Sequence, residues 1–100
     1  MIPRDGQTVY RVEWKEGYPC IKTGKVELRG KYKTNAYVDG RKVWGPCDTI
    51  KEAIIRAYEF IFYDAYHASL QGHACEMKGY LNKIFRLRRL ERRLRRFIER

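Results

Sequence analysis

The chain has 100 residues, which fits one domain with a modest hydrophobic core. Its 44% hydrophobic and 14% aromatic content is too high for a disordered chain. The net charge of +10, from 22 basic and 12 acidic residues, indicates a polyanionic partner. The N-terminus lacks a signal-peptide pattern and no segment is long and apolar enough to cross a membrane, so we expect an intracellular, cytoplasmic protein.

Few residues suit catalysis or metal binding. The three cysteines, Cys20, Cys47 and Cys75, are an odd number without C-x-x-C spacing and are predicted to be free thiols in a reducing compartment. His67 and His73 are the only histidines, and the sequence contains neither a phosphate-binding glycine loop nor a serine-nucleophile motif. A zinc site built from His73 and the cysteines is an alternative that the spacing does not require. We therefore predict a protein that is not an enzyme and needs no cofactor.

The first half of the chain is rich in β-formers interrupted by turn residues. The extended stretches are 8–14, 20–28, 31–38 and 41–44. Asp39-Gly40 between the last two predicts a two-residue hairpin turn, whereas 20–28 is either one bent strand or a small hairpin. These patterns predict an antiparallel sheet of three to four strands.

A helix is predicted from residue 50 to about residue 70. Thr49 and Glu52 form a capping-box pattern, and Gly72 ends the helix. The small and aliphatic residues on its narrow side suit packing on a sheet, and they are Ile50, Ala53, Ile54, Ala57, Ile61 and Ala68. The aromatic residues that widen its apolar arc are Tyr58, Phe60, Phe62, Tyr63 and Tyr66. A second helix or another subunit must cover them.

A second amphipathic helix is predicted to begin between residues 74 and 80. Its apolar stripe consists of Tyr80, Ile84, Leu87, Leu90, Leu94, Phe97 and Ile98. Residues 78–100 contain ten basic and two acidic groups, so this segment has a charge of +8. The predicted fold class is α+β: a sheet packed on one helix within residues 1–72, and a basic helix within residues 73–100 of the same domain.

The 31–44 hairpin is the candidate surface for reading nucleic acid. The turn pairs position 37 with 42, 35 with 44 and 33 with 46. One face then contains Lys33, Asn35, Tyr37, Lys42 and Trp44, with Lys31 in line. The opposite face, with Tyr32, Thr34, Ala36 and Val43, suits packing under the helix. Lysines neutralise phosphates, asparagine bonds adenine, and aromatic rings pack on sugars or bases. A solvated face without a ligand, or Trp44 folded into the core, is the alternative.

Residues 31–60 resemble a known group of DNA-binding domains. The strand, the Asp39-Gly40 turn, the second strand, Gly45 and the helix start DTIKEA (48–53) occur in the same order in the arm-binding domains of phage tyrosine integrases. The ethylene-response-factor-type domain is similar. The resemblance implies a sheet that enters the DNA major groove with a helix behind it. The contacts it implies are Lys33, Asn35, Tyr37, Arg41, Lys42 and Trp44. Pro46-Cys47 stands where those families have an aromatic residue.

The basic helix allows several partners. Its arginines are predicted to contact phosphates, through Arg86, Arg89, Arg92, Arg93 and Arg96. Its apolar stripe packs on the first helix or binds a partner, which gives a candidate partner surface of Tyr58, Phe62, Tyr66, Leu87, Leu90, Leu94 and Phe97. A homodimer is one such arrangement, and a membrane surface is disfavoured because the stripe already has a partner within the chain.

The prediction is a nucleic-acid-binding module, with double-stranded DNA favoured over RNA. The alternative is a small phage-type inhibitor or adaptor, similar in kind to anti-CRISPR proteins, that binds an acidic protein or a nucleoprotein complex. The small size and the surplus apolar surface of the first helix favour this alternative.

Overall fold

A computed structural model describes residues 3–43, 46–72 and 77–98. The fold is α+β, which confirms the predicted class. The elements are β1 Thr8–Lys15, β2 Tyr18–Lys25, β3 Glu27–Arg29, β4 Asn35–Val38, β5 Arg41–Lys42, α1 Ile50–Leu70, α2 Met77–Arg93 and α3 Arg95–Ile98. The strands form two antiparallel sheets, β1-β2 and β3-β4-β5. The extended stretch 20–28 is divided between the two sheets.

The β1-β2 hairpin is the larger sheet unit. Its register runs from Thr8 opposite Lys25 to Lys15 opposite Tyr18, without a break. Glu16 and Gly17 make the turn with φ of 52° and 81°, the positive values that a two-residue hairpin turn requires. Glu-Gly is not one of the common sequences for such a turn, which is why the pairing could not be predicted from the sequence.

The predicted turn at Asp39-Gly40 is confirmed. Both residues have positive φ, 51° and 78°, and Tyr37 pairs with Lys42 in the predicted register. On the other side of β4, Tyr37 pairs with Glu27, so this hairpin is part of a three-stranded sheet. The predicted partner of position 35, Trp44, lies outside the described residues.

The predicted strand over 31–38 is wrong in its first half, because residues 30–33 turn the chain from β3 into β4. Gly30 has a φ of 101°, Lys33 a φ of 51°, and the Lys33 N–H donates to the Gly30 carbonyl oxygen at 3.1 Å. Lys31 and Lys33 are therefore turn residues. Tyr32, expected to face the helix, is 77% exposed. The alternation of side chains across 31–34 is real in the sequence, but the β3-β4 reversal overrides it.

Both ends of α1 agree with the prediction. The Thr49 hydroxyl accepts a hydrogen bond from the Glu52 N–H at 3.1 Å and caps the N-terminus. At the other end Gln71 N–H donates to the His67 carbonyl, and Gly72 leaves the helix with a φ of 74°. The predicted second helix begins at Met77, within the expected interval.

The main core lies between α1, α2 and the β1-β2 hairpin. Its buried residues are Ile54, Ala57, Ile61, Leu87 and Leu90. Leu87 is 0% and Leu90 5% exposed. Of the two predicted alternatives for the stripe, packing on the first helix is the one found at Leu87 and Leu90, so their inclusion in the candidate partner surface is wrong. Leu94 also packs against this core, whereas Phe97 is 58% exposed.

A second, smaller core is made by strand residues. Val9 and Val26 pack with Ala36 and Val38 of β4, and Leu28 and Val43 border them. The buried face of the 35–42 hairpin therefore packs on other strands, instead of under α1 as expected. Among the described residues, no helix is long and apolar enough to cross a membrane.

Candidate nucleic-acid interface

Packing of α2 decides which of its basic residues face solvent. Because Leu87 and Leu90 point into the core, the opposite side of the helix is exposed over its whole length. Arg88, Arg89 and Arg92 are exposed on that side, Arg93 is exposed at its border, and Arg96 is exposed in the following helix α3. We call these residues, together with Phe85, the arginine face.

Phe85 lies at the N-terminal end of the arginine face. Its side chain is 58% exposed, and at 100° per residue it points about 160° away from Leu87. Phe85, Arg88, Arg89 and Arg92 line a shallow hollow of ≈ 280 Å³. Phe85 was not among the predicted site residues, because it is outside the apolar stripe. Its position opposite the buried leucines on a helical wheel is the pattern that identifies it.

The charge of the arginine face is not neutralised within the described part of the chain. Salt bridges are seen elsewhere, between Lys22 and Glu13 at 3.7 Å and between Arg29 and Glu27 at 3.1 Å. No salt bridge joins the five arginines to a carboxylate of the described residues. Like charges at positions i and i+4 repel, so a polyanion bound here would relieve an unfavourable interaction.

Glu91 is the acidic residue of α2, and its carboxylate is used on another side of the helix. The Tyr58 hydroxyl of α1 donates to Glu91 Oε2 at 2.8 Å. Burial, and then this hydrogen bond, raise the pKa of Tyr58 to about 12. Tyr58, predicted to bind a partner, is therefore half-buried in a contact between α1 and α2. Phe62 and Tyr66 of the same predicted set are 58% and 62% exposed.

Arg86 has an intramolecular role. Its Nη1 donates to the Gly17 carbonyl oxygen at 2.5 Å, and its guanidinium lies 4.5 Å from the centre of the Tyr18 ring. Both partners are at the β1-β2 turn, so Arg86 links α2 to the tip of the hairpin. The structure places it away from the five exposed arginines, although it was predicted with them as a phosphate contact.

The predicted hairpin face is brought together only in part. Asn35, Tyr37 and Lys42 share one side of the three-stranded sheet, and Arg41 is exposed at the turn. Arg29 of β3 covers the Tyr37 ring, with its guanidinium carbon 4.4 Å from the ring centre. Arg29 was not among the predicted site residues, because its position depends on the β3-β4 pairing, which the sequence pattern did not indicate.

Glu27 makes this sheet less suited to phosphate than α2. It pairs with Tyr37 across β3-β4 and accepts a hydrogen bond from Arg29. That hydrogen bond lowers the pKa of Glu27. A negative charge is thus fixed beside Tyr37, on the face that also contains Asn35 and Lys42, and the Arg29 charge is partly offset.

The cysteines do not form a reactive centre in the described residues. The Cys20 thiol donates to the Glu13 carbonyl oxygen at 3.4 Å, and Cys47 is buried. Burial raises the pKa of the Cys47 thiol, which keeps it protonated. No group of three or more metal-binding side chains occurs in 3–43, 46–72 and 77–98. His73 and Cys75 of the alternative zinc site lie outside those ranges.

Comparison with known proteins identified no related protein. No family model, no curated protein and no solved structure matches this chain. The resemblance of residues 31–60 to integrase arm-binding domains therefore stays a prediction, and function has to be argued from the surfaces described above.

Proposed function

We propose that this protein binds nucleic acid, duplex DNA in preference to RNA, and that the arginine face of α2 makes the phosphate contacts. The observation behind the proposal is a row of five exposed arginines without salt bridges to carboxylates of the described residues, held outward by two buried leucines. A surface of this kind binds a polyanion strongly and with little dependence on sequence.

The spacing of the arginines suits a phosphate backbone. Arg88 and Arg92 are four residues apart in α2, so they are about 6 Å apart along the helix axis, and Arg96 continues the row in α3. Phosphates in one DNA strand are separated by about 3.4 Å along the duplex axis. A row of guanidinium groups with spacing of this order can therefore contact several phosphates of a strand, and each guanidinium can form two hydrogen bonds.

Phe85 and the small sheet have secondary roles in this proposal. An exposed phenylalanine among arginines gives an apolar surface for a sugar or an unstacked base. Asn35, Arg41 and Lys42 supply polar groups for contacts with base edges, as the resemblance to integrase arm-binding domains implies. These side chains would provide sequence preference, whereas α2 would provide affinity.

The proposal includes a cytoplasmic location and no catalytic activity. Intracellular nucleic acid is the polyanion that a chain of charge +10 would meet there.

The direct test is titration of a short fluorescent duplex with the nuclease-treated protein, followed by anisotropy at several salt concentrations. We expect tight binding at low salt that weakens steeply as salt rises. Absence of binding to duplex DNA and to RNA at low salt would refute the proposal.

Phe85→Ala isolates the aromatic contribution. We expect this substitution to weaken the binding of single-stranded DNA by about fivefold to a hundredfold, because the stacking of a base on an aromatic side chain contributes roughly 1–3 kcal/mol. Phe97→Ala is a matched control, because Phe97 is also 58% exposed. Equal losses in the two variants would contradict the assigned role of Phe85.

A second candidate function is a small inhibitor or adaptor of a protein or nucleoprotein complex. The observation in its favour is the exposed apolar surface of α1, which contains Phe62 and Tyr66. A complex with a defined protein that survives nuclease treatment, and that duplex DNA does not displace, would favour this function over the first.

A further inference from the structure

We propose that α1 joins two copies of this chain in a symmetric antiparallel dimer. The surface concerned is a set of exposed apolar residues on the side of α1 away from the core. They are Ile55, Phe62, Tyr63, Tyr66 and Leu70, and we call them the aromatic face. This inference does not depend on nucleic-acid binding.

The aromatic face extends along one side of α1, with Glu59 between Ile55 and the other four residues. Its five side chains are between 46% and 66% exposed. At 100° per residue they fall within an arc of about 100°, over four turns of helix. A soluble protein has little reason to expose three aromatic rings side by side unless another molecule covers them.

The exposed area is appropriate for a dimer. An aromatic side chain can bury roughly 200 Å², so three rings that are about six-tenths exposed present on the order of 350 Å². A stable interface buries about 800 Å² on each partner. The rings therefore supply nearly half of that area, and the two aliphatic residues and the flanking polar side chains can supply the rest.

The distribution of charge favours a contact between two copies through α1 over a contact through α2. Residues 50–70 contain Lys51 and Arg56 against Glu52, Glu59 and Asp64, a charge of −1. Residues 77–93 contain seven basic groups and one acidic group, a charge of +6. Two chains of charge +10 repel, and α1 is where they can approach with the least repulsion.

The apolar residues of the face complement themselves when the two helices run antiparallel. A crossing centred between residues 62 and 63 places Phe62 of one copy opposite Tyr63 of the second copy. The same crossing places Ile55 opposite Leu70. Each contact occurs twice, as an interface with two-fold symmetry requires.

Polar groups along the face also match in this arrangement. Glu59, an acceptor, is in the first half of α1, and the hydroxyl of Tyr66, a donor, is in the second half. The antiparallel crossing puts Glu59 of each copy opposite Tyr66 of the second copy. His67 lies beside these residues, with its ring 5.7 Å from that of Tyr66. A parallel pair would instead place the two Glu59 carboxylates together, which is repulsive.

Sedimentation of nuclease-treated protein at high salt tests the proposal. Interfaces of this size have dissociation constants of about 1 µM or tighter. We expect a species of twice the chain mass in that range. A chain that stays monomeric at roughly a hundred times that concentration would overturn the proposal.

Phe62→Glu and Phe85→Glu form a matched pair, because both phenylalanines are 58% exposed. Phe62→Glu buries a charge at the centre of the interface and should weaken the dimer at least about thirtyfold. Phe85→Glu should leave the dimer unchanged. Equal effects of the two substitutions, or dissociation by Phe85→Glu alone, would show that the aromatic face is not the interface. Circular dichroism confirms that both variants are folded.

Glu59→Gln tests the direction of the two helices. In the antiparallel pair it replaces a charge-assisted hydrogen bond to Tyr66 by a neutral one, so the dimer weakens by about threefold to tenfold. In a parallel pair it removes a repulsion, and the dimer becomes tighter. A tighter dimer would overturn the antiparallel arrangement.

Discussion

Replacement of Arg89, Arg92 and Arg96 by glutamine is the sharpest test of the arginine face. All three side chains are exposed, so the free energy of unfolding should change by no more than about 0.5 kcal/mol for each. Glutamine also keeps a good helix propensity. Any loss of DNA binding would then come from the loss of phosphate contacts.

The expected magnitude follows from the number of arginines. We assume that each of the five arginines neutralises one phosphate. A plot of the logarithm of the binding constant per chain against the logarithm of the salt concentration then has a slope of about −4.5. Binding then weakens ~500-fold between 50 and 200 mM salt. The triple variant keeps two contacts, so its slope is about −1.8 and the same salt step costs ~12-fold.

Fluorescence anisotropy over a salt series measures both slopes. The control removes three exposed charges elsewhere, at Lys15, Lys25 and Lys51, so both variants have a charge of +7 in place of +10. We expect the control to keep a slope close to that of the wild type. A triple variant with the wild-type slope, or a control that loses as much slope as the triple variant, would refute the assignment of phosphate contacts to α2.

Two further predictions concern the contacts that hold α2 in place. Leu87→Ala should lower the free energy of unfolding by about 2–5 kcal/mol, because Leu87 is fully buried. Leu81→Ala, at a site that is 51% exposed, should lower it by only about 0.5 kcal/mol. Chemical denaturation measures both values, and equal losses would contradict the core position of Leu87. Tyr58→Phe removes the hydrogen bond to Glu91. Because folding raises the pKa of Tyr58 from 10.0 to about 12, its contribution to stability is complete below pH 10 and is lost as the pH rises toward 12. The difference in Tm between wild type and variant should therefore shrink above pH 10, and a constant difference would contradict the contact.

Local chemistry made some elements predictable. The Thr49 cap and Gly72 define α1 through backbone hydrogen bonds within a few residues, and both ends were located correctly. Asp39-Gly40 likewise determines its own turn, because both residues tolerate positive φ. The burial of Leu87 and Leu90 follows from the period of the apolar stripe, although the pattern left open which surface covers them.

The pairing of strands that are distant in sequence could not be predicted from local sequence patterns. Residues 31–34 alternate as a strand does, yet β3 pairs with β4 and forces a reversal at Gly30 and Lys33. The position of Arg29 over Tyr37 depends on that pairing as well. In the candidate site, the arginines could be named from composition, but the outward position of Phe85 and the separate role of Arg86 depend on which face of α2 is buried.

One helix serves both the core and the arginine face, and this limits how the protein can lose its charge. Leu87 and Leu90 alternate along α2 with Arg88, Arg89 and Arg92, so a shortened product that lacks all five arginines of the face also lacks Leu90, which belongs to the main core. Such a product would leave Ile54 and Ile61 less well covered and would be prone to aggregate. A folded form without the whole arginine face is therefore expected from substitution of the arginines, with both leucines kept.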